Sequence, residues 1–256
     1  NSLASNTTAG NNTGIGAFAL EQNSTGTGNT AVGQLSLNRN TTASNNTAVG
    51  RQALEAKTTG DNNTAIGYQA LAVTSQGQFN TAVGAFSLDA NTTANYNVAM
   101  GMNSMGANTT GCCNVGIGTD ALRTQTTAIC NTAIGHQAGY STTTGKLNTA
   151  IGRGAGCAVN IGQCNTSLGV EALRNLSEGS NNIGIGYQSG TDSAVRQING
   201  TCSNNIVLGN TNHTNAYIKI DWTVTSDLRD KTNIEDVPHG LDFVNQITPI
   251  KYNFKK

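Results

Sequence analysis

The amino-acid sequence predicts an all-β protein, a parallel β-solenoid with 17-residue rungs. Three observations predict it: an Asn recurs at a constant 17-residue interval, an aliphatic residue always stands three positions after it, and a Gly always follows the aliphatic residue. A fixed period of this length is typical of a solenoid, in which each coil of backbone stacks on the previous one. The recurring residues are Asn12, Asn29, Asn46, Asn63, Asn80, Asn97, Asn114, Asn131, Asn148, Asn165 and Asn182.

The composition supports an ordered, uncharged rod. Charged residues make up 11% of the 256 residues and the net charge is zero, whereas about 25% is typical. A neutral chain gives no electrostatic reason to bind nucleic acid or an anionic membrane surface. No apolar run reaches the roughly 20 residues that a transmembrane helix needs. We therefore expect neither a nucleic-acid partner nor membrane insertion.

Each rung opens with the same short phrase, as in Asn63-Thr64-Ala65-Ile66-Gly67 and Asn131-Thr132-Ala133-Ile134-Gly135. The aliphatic column, three residues after each Asn, predicts a stripe buried along the rod. The Gly that follows it, such as Gly67 or Gly135, implies a positive φ or a close backbone approach. The small column, two residues after each Asn, points the opposite way in a strand. We expect a neighbouring subunit at a symmetry axis to pack against it.

A second apolar column, the leucine column, stands eight residues after each Asn. It contains Leu54, Leu71 and Leu88, with Gly in its place at Gly139, Gly156 and Gly190. Fourteen residues after the Asn the residue is again Gly or Ala, so two small-residue corners per coil favour a flattened, two-sided roll. Pairs of Thr before this corner, as at Thr92-Thr93, are interpreted as β-prone positions on an outer face.

The asparagine column has a structural interpretation. Stacked rungs lie about 4.8 Å apart, so identical side-chain amides such as those of Asn63 and Asn131 can form a hydrogen-bonded ladder along the rod. The sequence therefore predicts that these residues hold the rungs together and bind no ligand.

The six cysteines show no CxxC or His–Cys spacing, so we expect no metal and no cofactor. Cys113, Cys130 and Cys164 share the position just before the Asn with Phe79, Tyr96 and Leu147. This pre-asparagine column is expected to be buried. Cys113 and Cys130 would then lie one rung apart, within reach of a disulfide, but free, buried thiols are favoured if assembly occurs in a reducing cytosol.

The repeated phrase resembles the head domains of trimeric autotransporter adhesins over about residues 2–210. That resemblance implies a left-handed parallel β-roll assembled as a homotrimer. The rung here is longer than is usual in that family, so its outer turns must differ. Similar repeats also occur in bacteriophage fibres.

The character of the chain changes after Gly190, where the period fails. The string from Asn205 to Gly209 is a last echo of the repeat, and Ala216 to Thr225 is predicted to form one or two strands. Charge then becomes dense, and a short helix is expected at Gly240 to Ile247. We predict a shaft at 1–190, an irregular connection at 191–225 and a short α+β segment at 226–256.

The string Ser226-Asp227-Leu228-Arg229-Asp230-Lys231-Thr232-Asn233-Ile234 resembles the opening of the intramolecular chaperone domain of phage endosialidases and tail fibres. The resemblance implies a domain that trimerises, guides folding of the fibre and cuts itself off. The bond cut would be Thr225–Ser226, with Ser226 as nucleophile and Lys231 as general base, a chemistry open to a partly desolvated Lys. An inactive, slow or retained chaperone is the alternative. Because the chain begins in mid-rung and that family continues past the position of Lys256, we expect further chain at both ends.

The sequence as a whole predicts a structural virion protein, a phage tail fibre or appendage that forms a trimeric rod for host attachment. Its expected partners are copies of itself, other virion or tail proteins and a host receptor, a glycan being one candidate. The outward positions expected to make contact are Arg51, Tyr68, His136, Arg153 and Tyr187. Three alternatives remain: the head of a bacterial surface adhesin, an ice-binding solenoid with a flat Thr face, and a self-cleaving protease.

Overall fold

The computed structural model describes residues 1–56, 58–191 and 196–217, and its regular elements there are twelve short strands, with no helix. The strands are β1 (Thr13–Ile15), β2 (Thr30–Val32), β3 (Thr47–Val49), β4 (Thr64–Ile66), β5 (Thr81–Val83), β6 (Val98–Met100), β7 (Val115–Ile117), β8 (Thr132–Ile134), β9 (Thr149–Ile151), β10 (Thr166–Leu168), β11 (Ile183–Ile185) and β12 (Ile206–Leu208).

All twelve strands form one parallel sheet in chain order, from β1 at one end to β12 at the other. Each strand pairs with its equivalent in the next rung, as Thr64 does with Thr81. The predicted parallel β-solenoid with 17-residue rungs is therefore confirmed. The last echo of the repeat also forms a rung, because Ile183 pairs with Ile206 although the interval between them is longer than in the other rungs.

The core of each rung is made by the small column and the leucine column. Ala65 and Ala82 are fully buried, and so are Leu71 and Leu88. The interior is narrow: a Cβ added to Gly184 would lie 2.6 Å from Cγ of Leu173. Only a small side chain fits opposite each Leu. The prediction that a neighbouring subunit packs on the small column is therefore wrong, because the chain's own leucine column occupies that space.

The aliphatic column faces outward. Ile66 is 40% exposed and Ile134 is 37% exposed, while Val32 and Ile117 are half-buried. The prediction of a buried aliphatic stripe is wrong. Successive residues of a strand point to opposite faces, so the rung could bury either the small column or the aliphatic column, and its narrow interior accepts the smaller one.

A positive φ recurs at four positions of the rung. In one rung they are Asn62 at 60°, Gly67 at 137°, Gln69 at 55° and Leu71 at 52°. The prediction for Gly67 is confirmed, and the same position in the other rungs, including Gly135 at 134°, behaves alike. The other three were not predicted, since non-Gly residues seldom adopt a positive φ.

The residues of the leucine column have a positive φ, which explains why Gly can replace Leu in this column. Gly139, Gly156 and Gly190 have φ values of 58°, 53° and 73° at the positions where other rungs carry Leu. Gly adopts this left-handed conformation without a steric cost, whereas Leu must offset that cost by filling the core. The backbone path is thus kept while the side chain varies.

The remainder of each rung consists of turns and bends, with one strand per rung. The described residues therefore form a single sheet, and the flattened, two-sided roll inferred from the two small-residue corners stays a prediction. None of the predicted Thr pairs lies in a strand, and most of them lie in bends, so their predicted β-structure is wrong. The first Thr of several pairs donates its hydroxyl to the next rung: Thr92 Oγ1 lies 3.0 Å from the carbonyl oxygen of Thr109.

The asparagine column binds neighbouring rungs together, as predicted. Asn114 is fully buried, and its Nδ2 donates to the carbonyl oxygen of Ala128 at 2.9 Å and to Oδ1 of Asn97 at 3.1 Å. Its Oδ1 accepts the backbone N–H of Asn131 at 2.8 Å. In every described rung the Asn Oδ1 accepts the backbone N–H of the next Asn, whereas the amide-to-amide bond of the predicted ladder forms in only some rungs and is missing between Asn114 and Asn131.

The chain divides into two compact units, Asn1–Thr214 and Asn215–Lys256. The first contains the whole solenoid, including β12. Of the second, only residues 215–217 are described. The helix predicted at Gly240 to Ile247 and most of the strand region predicted at Ala216 to Thr225 lie outside the described residues.

Candidate functional site

The outward side of the sheet is the candidate functional surface. In every rung the first strand residue, which defines the threonine column, and the aliphatic column point away from the core. These two columns contain Thr, Val, Ile, Leu and Met and no charged residue in any of the twelve strands. An uncharged surface with an exposed aliphatic stripe along its length is typical of interaction sites.

The pre-asparagine column extends this surface on the other side of the buried Asn. Phe79, Tyr96 and Leu147 are 45%, 59% and 52% exposed, and Cys113 and Cys130 are exposed as well. The prediction that this column is buried is wrong, because the Asn that follows takes the inward direction. We call the pre-asparagine, threonine and aliphatic columns together the outer face.

Two aromatic rings stack on the outer face. The ring centroids of Phe79 and Tyr96 lie 5.1 Å apart with an interplanar angle of 1°. Both residues occupy the pre-asparagine column in adjacent rungs, so the repeat interval brings them into contact. Stacked aromatic rings contribute beyond their buried area. The sequence shows that both residues occupy the same position of adjacent rungs, but the prediction that this column is buried did not lead us to expect an exposed aromatic pair.

All six cysteines are free thiols in the structure. The expected burial is wrong: Cys113, Cys130 and Cys164 are exposed, and Cys112, Cys157 and Cys202 are half-buried. A hydrogen bond with Cys112, together with burial and the nearby Cys130, raises the pKa of the Cys113 thiol. In the described ranges no group of three or more His, Cys, Asp or Glu side chains is arranged to hold a metal ion.

The five positions predicted to make contact are all exposed: Arg51, Tyr68, His136, Arg153 and Tyr187. The structure joins two of them, because the guanidinium carbon of Arg51 lies 5.6 Å from the ring centroid of Tyr68. The ring of Phe86 meets Tyr68 edge-on at 5.1 Å. This cation–aromatic cluster was missed from the sequence, although the spacing of its members places them on three consecutive rungs.

A second polar cluster surrounds Glu171, which is only 9% exposed. Gln188 Nε2 donates to its carboxylate at 2.9 Å, Arg153 contacts it at 2.9 Å and Arg174 at 3.3 Å. The Gln188 hydrogen bond, assisted by the charges of both arginines, lowers the pKa of Glu171. This cluster was also missed, although Glu171 and Gln188 share one position in adjacent rungs; the two arginines reach them from other positions.

The lowered pKa predicts a pH-dependent contribution to stability. A carboxylate whose folded pKa lies below its unfolded value of about 4.3 stabilises the fold above that value and loses this effect as the pH falls through the folded pKa. Glu171→Gln is therefore expected to destabilise the protein at pH 7 by less than about 1 kcal/mol, because both arginines are solvent-exposed. Its melting temperature should be slightly lower than that of the parent at pH 7, and this difference should shrink at pH 3. Thermal unfolding followed by circular dichroism at both pH values measures this.

The matched control is Glu178→Gln, which removes an exposed carboxylate from a neighbouring turn. It should leave the melting temperature unchanged at pH 7. A deficit in Glu171→Gln that persists unchanged at pH 3 would contradict the electrostatic explanation.

A shallow cleft of about 320 Å³ lies on another side of the rod, lined by Asp89, Asn103, Gly106 and Arg123. Burial raises the pKa of the Asp89 carboxyl. Arg123 pairs with Asp120 at 3.1 Å on the adjoining turn. Gly106 stands between Asp89 and Arg123 at the same rung position, so its missing side chain opens the space. The cleft brings a carboxylate, an amide and a guanidinium together.

The predicted catalytic pair, Ser226 and Lys231, lies outside the described residues, so its geometry is not part of the site described above. Among the described residues, no helix is long and apolar enough to cross a membrane.

These features define the class of protein: a repeat protein built as a parallel β-solenoid, with an uncharged outer face along it. Residues 226–256 match the family described as chaperone of endosialidase. The solenoid and this match together fit a protein of the tail-fibre or endosialidase type, and the chaperone segment implies self-association. No curated protein and no solved structure matches the chain.

Proposed function

We propose that this chain is the shaft of a phage tail fibre or virion appendage, a homotrimeric rod that serves host attachment. The observation that carries the proposal is an outer face without charge that runs the length of a solenoid and is followed by a chaperone-of-endosialidase segment. The protein is assembled in the host cytoplasm and located on the virion.

The outer face has the size of a subunit interface. Twelve strands about 4.8 Å apart make it roughly 55 Å long, and the five residues from the pre-asparagine to the aliphatic column span about 16 Å. Its area is on the order of 900 Å², close to the ~800 Å² that each partner contributes to a specific interface. Three copies related by a threefold axis would bury this face and leave the charged turns in water.

Charge introduced on the outer face tests the trimer. Ile134→Asp combined with Ile151→Asp places two carboxylates at adjacent rungs of the aliphatic column. We expect the parent to have a mass of about 79 kDa by light scattering, three times the 26.3 kDa chain, and the variant to be monomeric with an unchanged circular dichroism spectrum, because unpaired charges are costly to bury.

The matched control carries two carboxylates at the position two residues after the aliphatic column, at His136→Asp and Tyr187→Asp. Both positions are exposed, so the control should remain trimeric. A monomeric parent, or a trimer that survives the charges at Ile134 and Ile151, would remove the outer face from consideration as the interface.

The turns that stay exposed in such a trimer are the surfaces for the host receptor. The cleft at Asp89, Asn103 and Arg123 offers acceptors and donors suited to the hydroxyl groups of a glycan, and the Arg51–Tyr68 pair offers a flat aromatic surface. Other virion proteins would hold an end of the rod. Antibodies against the shaft should decorate virions of the encoding phage in electron micrographs; undecorated virions would exclude this location.

Self-cleavage remains a prediction of the resemblance alone. We expect a polypeptide that carries the chaperone segment to be cut between Thr225 and Ser226, with Ser226→Ala and Lys231→Ala both uncut, because a Ser hydroxyl needs a base to act as a nucleophile. Intact-mass spectrometry measures the products. Cleavage that persists unchanged in Ser226→Ala would exclude Ser226 and Lys231 as the catalytic pair. Ser203→Ala serves as the control.

The chaperone segment also favours a fibre over the head of a bacterial surface adhesin, whose location would be the bacterial cell surface. The ice-binding alternative depends on Thr pairs that are both open to water. In the structure the hydroxyls of Thr92, Thr109 and Thr126 donate to backbone carbonyls of the next rung, so the first Thr of these pairs is not available to ice.

A further inference from the structure

The pre-asparagine column is not uniform along the rod. It carries Asn or Gly at Asn11, Gly28, Asn45 and Asn62, then six larger, mainly apolar side chains at Phe79, Tyr96, Cys113, Cys130, Leu147 and Cys164, then amides again at Asn181 and Asn204. We call the block of six the ridge. It occupies consecutive rungs in the middle of the solenoid, and amide side chains border it at both ends.

The other two columns of the outer face hardly vary. The threonine column is Thr or Val in rungs one to ten, and the aliphatic column is Ile, Val, Leu or Met throughout. Two copies of such a face would fit each other nearly as well after sliding by one rung, about 4.8 Å. Repetitive surfaces specify register weakly. The ridge is the part of the outer face that distinguishes one rung from the next.

We propose that the ridge fixes the axial register between copies of this chain in the trimer. When the copies are aligned, all six ridge side chains face their equivalents. A slip of one rung would place Phe79 of one copy against Asn62 of another, and Cys164 against Asn181. Each mismatch desolvates an amide beside an apolar group that cannot hydrogen-bond to it.

The same partner must cover the ridge and the strands, because a single buried Asn separates them in every rung. Within the ridge, Val98 and Val115 replace Thr next to Tyr96 and Cys113, so apolar side chains lie in neighbouring columns there. The ridge carries no charge, so it selects no charged partner. A second copy presents the same uncharged block over the same length, which makes it the fitting occupant. The inference rests on the proposed trimer.

Disulfide trapping in mixed trimers tests the register. Two single-cysteine proteins are prepared in which the other five cysteines are replaced by Ala: one keeps Cys113 and the other keeps Cys130, and one of them is ¹⁵N-labelled. They are refolded together and oxidised with copper–phenanthroline, and mass spectrometry gives the ratio of Cys113–Cys130 to same-residue disulfides. Same-residue disulfides should dominate in this background.

The ridge is then removed by Phe79→Asn, Tyr96→Asn and Leu147→Asn. Asn is the residue that the chain itself uses at this position in other rungs, and it tolerates the left-handed backbone, so folding should be preserved. We expect the Cys113–Cys130 disulfide to rise until it is comparable with the same-residue products. The control Tyr68→Asn, Met102→Asn and Tyr187→Asn removes equally exposed apolar side chains outside the outer face and should leave the ratio unchanged.

The outcomes separate the inference from the proposed function. A trimer whose disulfide ratio does not change on removal of the ridge overturns the register role and leaves the trimer standing. A trimer that forms no same-residue disulfide shows that the ridge does not face another copy, which also overturns the inference. A parent protein that is monomeric by light scattering overturns the proposed function and the inference with it.

Discussion

Gly118→Ala is expected to prevent the shaft from stacking as one continuous solenoid. Gly118 has a φ of 130°, and an added Cβ would lie 2.6 Å from both the carbonyl carbon and oxygen of Gly135 in the next rung. Neither backbone atom can move without opening the strands beside it. The strained backbone conformation costs about 1–3 kcal/mol, and overpacking adds about as much again. We expect the free energy of unfolding to fall by about 2–6 kcal/mol, measured by urea denaturation followed by circular dichroism.

The same substitution at Gly10 is the matched control. No atom lies within 4 Å of a Cβ added there, and Gly10 is exposed. Gly10→Ala should change stability by no more than about 0.5 kcal/mol, as is usual for surface substitutions. Equal stability of Gly118→Ala and Gly10→Ala would show that the rungs can separate at the glycine corner without loss, contrary to the structure.

Asn114→Asp is expected to have the second largest effect. The amide of Asn114 is fully buried and bonds to Asn97, Ala128 and Asn131. A carboxylate keeps the acceptor toward Asn131 but loses both donors, and it places an unpaired charge between two rungs. Leaving a buried charge without its partner costs about 3–5 kcal/mol. Thermal and urea unfolding at pH 7 should both show this loss.

The loss in Asn114→Asp should shrink in acid. Burial favours the neutral carboxyl, so the folded pKa of the new Asp would lie above its unfolded value. The folded state then binds more protons than the unfolded state, and stability rises as the pH falls. Asn11→Asp introduces the same group at an exposed position and should be neutral at pH 7. A deficit of equal size at pH 4 and pH 7 would indicate that lost hydrogen bonds, and not charge, dominate.

The sequence predicts the rung well because its period is exact. The spacing of Asn63, Asn80 and Asn97 predicts the register of the sheet. The invariant Gly after each strand predicts the positive φ of Gly67 and its close approach to the backbone of the next rung. When every rung carries Gly at the same position, the usual reason is a backbone conformation that other residues adopt only with strain. The buried amide ladder followed from the same regularity.

The direction in which the columns face could not be predicted so well. Alternation in a strand says that Ala65 and Ile66 point to opposite sides, but a larger side chain is ordinarily the buried one. Here the inward space is taken by Leu54 and Leu71, which reach the core through left-handed positions that sequence patterns do not reveal. Once the small column is inside, the aliphatic column must be outside. The exposure of Phe79 and Tyr96 follows from the same reversal.

Strand contacts in the solenoid run only between neighbouring rungs, and every neighbouring pair is built in the same way. Duplication or loss of one repeat in the gene would therefore change the length of the rod by about 4.8 Å without altering its cross-section. Outside the ridge and the side-chain clusters around Tyr68, Asp89 and Glu171, such events would create no new kind of contact. The length of the solenoid is thus a heritable quantity that can change by single rungs while the fold remains the same.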